Sequence, residues 1–163
     1  MQRRRTTTHS GWYYNQSLEY LTGDHVEIDK QKAFELNSQA AQEGFHDAVL
    51  AMGWFYLNGV GVEKNLQEAR EWYRKSARQG EPKALYSLGE IEYTQQNYRD
   101  ALTWFTRASE KGHAKSLYWI GKLYYKGYGV ERNRKKAFQL FHQAAKKKVA
   151  CAQRVLKWLD RVP

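Results

Sequence analysis

The chain has 163 residues, with 27 Lys and Arg against 17 Asp and Glu, a formal net charge of +10, and 42% hydrophobic and 15% aromatic residues. This content excludes a disordered chain and suits one domain of ordinary size, while a single cysteine, Cys151, excludes an internal disulfide framework and any cysteine-built zinc site. No run approaches the roughly 18 apolar residues of a membrane span, and no apolar stretch follows the basic start Arg3-Arg4-Arg5 as a secretory leader requires, so the expected setting is the reducing cytoplasm, without a membrane.

Residues 1–8 read as a basic, flexible N-terminus. Beyond them the sequence repeats itself, and the period is 36 residues. The expected units are 9–44, 45–80, 81–112 and 113–148, with 149–163 as a final capping helix. In the first, Leu21-Thr22-Gly23-Asp24-His25-Val26-Glu27 precedes Ala33; in the second, Leu57-Asn58-Gly59-Val60-Gly61-Val62-Glu63 precedes Ala69; in the fourth, Tyr125-Lys126-Gly127-Tyr128-Gly129-Val130-Glu131 precedes Ala137. The third lacks this loop, and Asn97-Tyr98-Arg99-Asp100-Ala101 forms a shorter turn.

Each unit holds two segments of helical periodicity. The first carries Ala48, Met52 and Tyr56, then Ala84 and Leu88, then Ser116, Ile120 and Tyr124. The second carries Ala69, Tyr73, Ser76 and Ala77, then Ala101, Phe105 and Ala108, then Ala137, Phe141, Ala144 and Ala145. Gly53, Gly89 and Gly121 recur in mid-helix, where glycine costs roughly 1 kcal/mol against alanine. Their recurrence predicts that two helix backbones approach closely there. Gly44, Gly80 and Gly112 are expected to end the second helices, and Gly59 and Gly127 the first. In the last helix, Ala152, Val155, Leu156 and Leu159 should face inward, with Arg154, Lys157 and Arg161 outward.

The pattern A-x-x-x-L-G-x-x-Y, then G-x-G-V, then an alanine, an aromatic and A-x-x-G resembles the Sel-one-like repeat family, a branch of the tetratricopeptide-like α-solenoids. It is best developed in 48–80 and 116–145 and weaker in 17–44, where Ser17 replaces the glycine and Asn37 the second-helix aromatic. The resemblance implies an all-α, right-handed α-solenoid of about four helix–turn–helix repeats. It also implies protein–protein interaction, as in adaptors, regulators and bacterial immunity-type proteins, with no catalytic residue or cofactor.

In such a solenoid the first helices are expected to line a concave groove. Equivalent positions then form columns: Tyr14, Leu50, Tyr86 and Tyr118; Leu18, Trp54, Glu90 and Lys122; and Leu21, Leu57, Tyr93 and Tyr125, followed by Asn58, Thr94 and Lys126. Trp54, Tyr86 and Tyr118 are expected at the surface, suited to a peptide or partner loop. For the third column, surface and inter-repeat core remain equally open.

The charge is uneven: residues 113–163 hold 13 Lys and Arg against 2 Asp and Glu, whereas 1–112 hold 14 against 15. Arg132, Arg134, Lys135, Lys136, Lys146, Lys147, Lys148, Arg154 and Lys157 form a basic cluster that should attract an acidic protein. A nucleic acid is the alternative partner, and pairing of uncapped repeat ends would give a homo-oligomer. Catalysis is not expected. Asp24-His25 and His46-Asp47 are sequence neighbours, which on a helix point to different sides. The two glycine loops lack the strand and the lysine–hydroxyl pair of a phosphate loop. No histidine spacing suggests a metal, and Cys151 reads as a small core filler.

Overall fold

A computed structural model describes residues 9–159. The expected flexible segment 1–8, the triplet Arg3-Arg4-Arg5 and Arg161 lie outside the described residues. Among those described the chain is all helix: α1 (His9–Thr22), α2 (Lys30–Gln42), α3 (His46–Asn58), α4 (Leu66–Arg78), α5 (Pro82–Thr94), α6 (Tyr98–Glu110), α7 (Ala114–Lys126), α8 (Arg134–Lys146) and α9 (Ala150–Leu159). The chain was expected to form one repeat domain. Its contacts gather into two compact units that divide between Glu81 and Pro82.

In the first unit α1 packs on α2, α2 on α3 and α3 on α4; in the second, α5 packs on α6, α6 on α7, α7 on α8 and α8 on α9. The start of each second helix follows from side-chain capping. Asp29 accepts from the Lys32 N–H, Asn65 from the Gln67 and Glu68 N–H groups, and Asn133 from the Lys136 N–H, which satisfies donors that the helix leaves without a partner. Asn97 is the exception: in the short third turn its amide donates instead to the Glu92 carboxylate at 2.9 Å.

Small residues recur where helices meet. Ala33, Ala69, Ala101 and Ala137, and likewise Ala48, Ala84, Ser116 and Ala152, are all fully buried. The expectation of a backbone approach at the mid-helix glycines holds only in part. What comes nearest is an aromatic ring: a Cβ on Gly53 would lie 2.6 Å from Tyr73, on Gly89 2.6 Å from Phe105, and on Gly121 2.7 Å from Phe141, with the Ala137 backbone oxygen 3.2 Å from the last. In these three repeats the first helix lacks a side chain so that a ring of its own second helix can approach its backbone. In the first repeat both members change together. Ser17 donates to the Ala33 carbonyl at 2.7 Å, and Asn37, without a ring, donates to the Ala48 carbonyl at 3.0 Å.

The second helices end in a left-handed residue: Gly44, Gly80 and Gly112 have φ of 82°, 88° and 88°, but the fourth copy of this position is Lys148 at 62°. A β-carbon in that region costs roughly 1–2 kcal/mol. Lys148→Gly should therefore raise Tm by about 2–4 °C, the shift for roughly 1 kcal/mol in a chain of this size. Lys147→Gly, whose residue has φ of −84°, should not. A differential scanning measurement giving the two variants equal Tm would remove strain at Lys148 from the account.

Candidate functional site

In the first unit, α1 and α3 carry Trp12 at 51% exposure, Leu18 at 39% and Trp54 at 41%. Tyr14 and Leu50 are half-buried. The Tyr14 ring packs against Phe45 at 5.1 Å, and burial, followed by the nearby Asp47 carboxylate, pushes its phenol above the ordinary value. Trp54 lies edge-on to the buried Phe55 at 5.4 Å, so its indole is anchored on one side and open on the other.

In the second unit the faces of α5 and α7 converge on a cluster that the register only partly foresees. Tyr86 is 8% exposed, which corrects the expectation that it faces solvent. Its ring packs on His113 at 4.3 Å and Phe105 at 5.8 Å. Its hydroxyl donates to the Glu90 carboxylate and accepts from the Trp119 indole N–H at 3.0 Å. Burial and the Glu90 hydrogen bond hold the Tyr86 phenol well above its ordinary range. Glu90 and Tyr86 thus work as a positioning pair for Trp119.

Trp119 is the residue that the columns missed. It stacks on Phe105 at 5.6 Å with planes 9° apart, and lies 4.8 Å from Tyr93. The Lys122 ammonium sits 4.5 Å from the Trp119 ring and 5.0 Å from Tyr93, and the Lys115 ammonium 5.1 Å from Tyr86. These are cation–π distances. A signal was available: Trp119 falls in a column with Asn15, Ala51 and Ser87, where an indole stands out. Tyr118 is half-buried against Phe141 at 5.8 Å, and Lys126 is exposed at the end of α7.

All nine residues of the basic cluster are exposed, but they do not form a uniform patch. Arg132 donates to the Tyr125 carbonyl at 3.1 Å, Lys136 donates to the Tyr124 hydroxyl at 2.8 Å, and Arg134 covers the Tyr125 ring at 5.9 Å. Lys135 and Lys146 border, with Phe138 and His142, an open depression of about 690 Å³ on the outer side of α8. Lys146, Lys147 and Lys148 stand at its end. Arg154 and Lys157 lie on α9, whose Ala152 is buried and whose Val155, Leu156 and Leu159 are half-buried.

Asp24 and His25 lie in a turn rather than a helix, and their side chains meet at 3.6 Å with 71% and 83% exposure. The sequence argument that such neighbours diverge holds only for helix and fails here. The pair is solvated. His113 is the N-cap residue of α7, its ring in contact with the Ser116 hydroxyl at 2.9 Å. Among the described residues no group of three His, Cys, Asp or Glu side chains could hold a metal ion, and no helix is long and apolar enough to cross a membrane.

Helix pairs repeating at about 36 residues, three of them with a ring against a bare helix backbone, define an all-α repeat protein. The family model described as Sel1 repeat matches residues 13–45, 46–81, 82–113 and 114–149, so the chain belongs to the Sel1 repeat family. A solved Sel1 repeat protein from Oxalobacter formigenes is similar over 96% of this chain and 65% of its own, with a TM-score of 0.85 and 29% identity. Among curated relatives, the chitin synthase regulator SKT5 of Saccharomyces cerevisiae is 34% identical over 71 residues, 42% of this chain. The ERAD-associated E3 ubiquitin-protein ligase component HRD3A of Arabidopsis thaliana is 34% identical over 87 residues, 53% of this chain. The matches span only 10% and 12% of those two relatives.

Proposed function

We propose that this chain is a non-enzymatic protein-binding module that holds an acidic partner on the exposed face of its first helices, in the cytoplasm. The observation that carries the reading is the cation–aromatic surface of the second unit. There Lys122 lies over both Trp119 and Tyr93, and Trp119 is fixed by the Tyr86–Glu90 pair. Rigid rings with cations laid over them offer large contact area at low entropic cost, and their charge suits a partner rich in carboxylates. The curated relatives support a regulatory or subunit role, one being named a regulator and the other a ligase component. The basic cluster then steers association, a long-range effect that salt screens.

A nucleic acid is the second reading, and one observation favours it: residues 132–159 contain nine Lys and Arg and no Asp or Glu. Phosphate binding of that kind weakens steeply with salt. Affinity capture with the tagged chain, from lysates with and without nuclease treatment, separates the two. The interaction reading expects one acidic protein retained after nuclease and released by Lys122→Glu. Loss of every captured protein on nuclease treatment would replace it with the nucleic-acid reading.

A further inference from the structure

The two most C-terminal first helices carry a feature that the repeat pattern does not explain. Between α7 and α9 lies an open cleft of about 330 Å³ lined by Tyr118, Cys151, Arg154, Val155 and Trp158. Trp158 is 58% exposed, a large apolar side chain left in water beside a cavity. Tyr118 is held in place by Phe141 and by Trp119, each with its ring 5.8 Å away. Arg154 and Trp158 fall 36 residues after Tyr118 and Lys122, so they continue the first two columns onto α9.

The charges on the two helices that line the cleft have one sign. Lys115, Lys122 and Lys126 are the charged residues of α7, and Arg154 and Lys157 those of α9; neither helix has an Asp or Glu. The volume is at the bottom of the roughly 300–1,000 Å³ that ligand sites occupy, which is room for a single side chain. Two rings, a β-branched aliphatic and a thiol offer that side chain apolar contact, with few groups to read the polar edges of a base. A chain segment that supplies one apolar anchor flanked by carboxylates satisfies both the lining and the charge.

We propose that the α7–α9 cleft is the anchor pocket of the binding surface: it takes one aromatic or aliphatic side chain of an acidic peptide segment, with Arg154 pairing to a flanking carboxylate. The proposal rests on the interaction reading and narrows it to one pocket and one class of partner segment.

The probe is a fluorescein-labelled acidic hexapeptide with one central phenylalanine, followed by fluorescence polarisation on the full chain. Its counterpart with lysine in place of every carboxylate is the control. Saturable binding of the acidic peptide alone is expected. Trp158→Ala and Arg154→Glu should each weaken it at least about tenfold, and Lys75→Ala on the second helix α4 should leave it unchanged. Circular dichroism should be the same for all variants, because the replaced side chains are exposed. Bound peptide should also slow the reaction of Cys151 with N-ethylmaleimide, a readout that needs no variant. Absence of saturable binding overturns the proposal. So does binding that ignores Trp158 and is lost when Lys146, Lys147 and Lys148 become Glu, since that places the peptide on α8. An oligothymidylate that competes with the same sensitivity to Trp158 would make the cleft a nucleic-acid site, and burial of Trp158 by self-association at rising protein concentration would assign it to a second copy. If the protein captured from lysate depends on Trp54 and Lys122 but not on Trp158, the interaction reading stands and the anchor pocket falls.

Discussion

Gly89→Ala should destabilise the protein, although the same change in a solvent-exposed helix stabilises by roughly 1 kcal/mol. The new Cβ would lie 2.6 Å from two ring carbons of Phe105 and 3.0 Å from a third, against about 3.5–4.0 Å for relaxed carbon contacts. The ring has nowhere to go. Phe105 is fully buried, and its far face stacks on Trp119. Overpacking of this kind costs about 1–3 kcal/mol, so the expected result is a fall in Tm of several degrees. Because the clash involves one pair, Phe105→Leu should offset part of it, and a double-mutant cycle should return a coupling of about 0.5 kcal/mol or more. A higher Tm for Gly89→Ala, or strict additivity with Phe105→Leu, would show that the ring does not press on the helix.

Gly61→Ala should cost more. Gly61 has φ of +66°, and a Cβ there would lie 1.9 Å from the Lys30 carbonyl oxygen and 2.5 Å from its carbon. Those atoms belong to the backbone at the start of α2, which cannot swing aside as a side chain would. The left-handed conformation alone costs roughly 1–2 kcal/mol, and displacement of the loop from α2 adds to it, for a total of about 3 kcal/mol or more. Gly80→Ala supplies the control: its φ is +88°, and a Cβ there meets nothing within 4 Å. Chemical denaturation should separate the two variants by at least about 1 kcal/mol, with hydrogen exchange fastest at the Gly61 loop and the start of α2. Equal losses would mean that only backbone conformation matters at Gly61. The second unit repeats the device, because a Cβ on Gly129 would lie 2.7 Å from the Arg99 nitrogen. His25 holds the position 36 residues before Gly61, at φ of 65° and fully in solvent.

The repeat fold was legible because its rules are carried by residue types that have few other uses at fixed spacing. Glycine in mid-helix, a small residue in the helix interfaces and G-x-G-V in two of the loops are each weak alone and specific together. The family model matches four consecutive copies of this pattern, over residues 13–45, 46–81, 82–113 and 114–149. Reading the partner of the mid-helix glycines succeeded only in part, for a specific reason. Sequence spacing shows that something approaches a bare backbone, but not whether a backbone or a ring does so. The same limit applies to the surface. Columns of equivalent positions locate α-carbons, whereas exposure depends on side-chain direction and neighbours. Tyr86 shares a column with Tyr14, Leu50 and Tyr118, yet His113 and Phe105 cover it and Glu90 takes its hydroxyl. Trp119 was passed over because its column holds small residues in the other repeats. Trp158 was passed over because α9 was read only as a cap.

The central claim is that binding belongs to the first helices and not to the second. It is tested most directly by the affinity of the captured protein for three variants, measured by isothermal titration. Trp54 and Lys122 lie on first helices; Lys75 lies on α4 with its ammonium 4.8 Å from the Trp72 ring, a similar cation–aromatic pair on a second helix. Trp54→Ala and Lys122→Ala should each raise Kd about tenfold, or 1.4 kcal/mol, and Lys75→Ala should leave it within about twofold. A Kd that responds to Lys75→Ala and ignores the other two would contradict the account and move the site to the second helices.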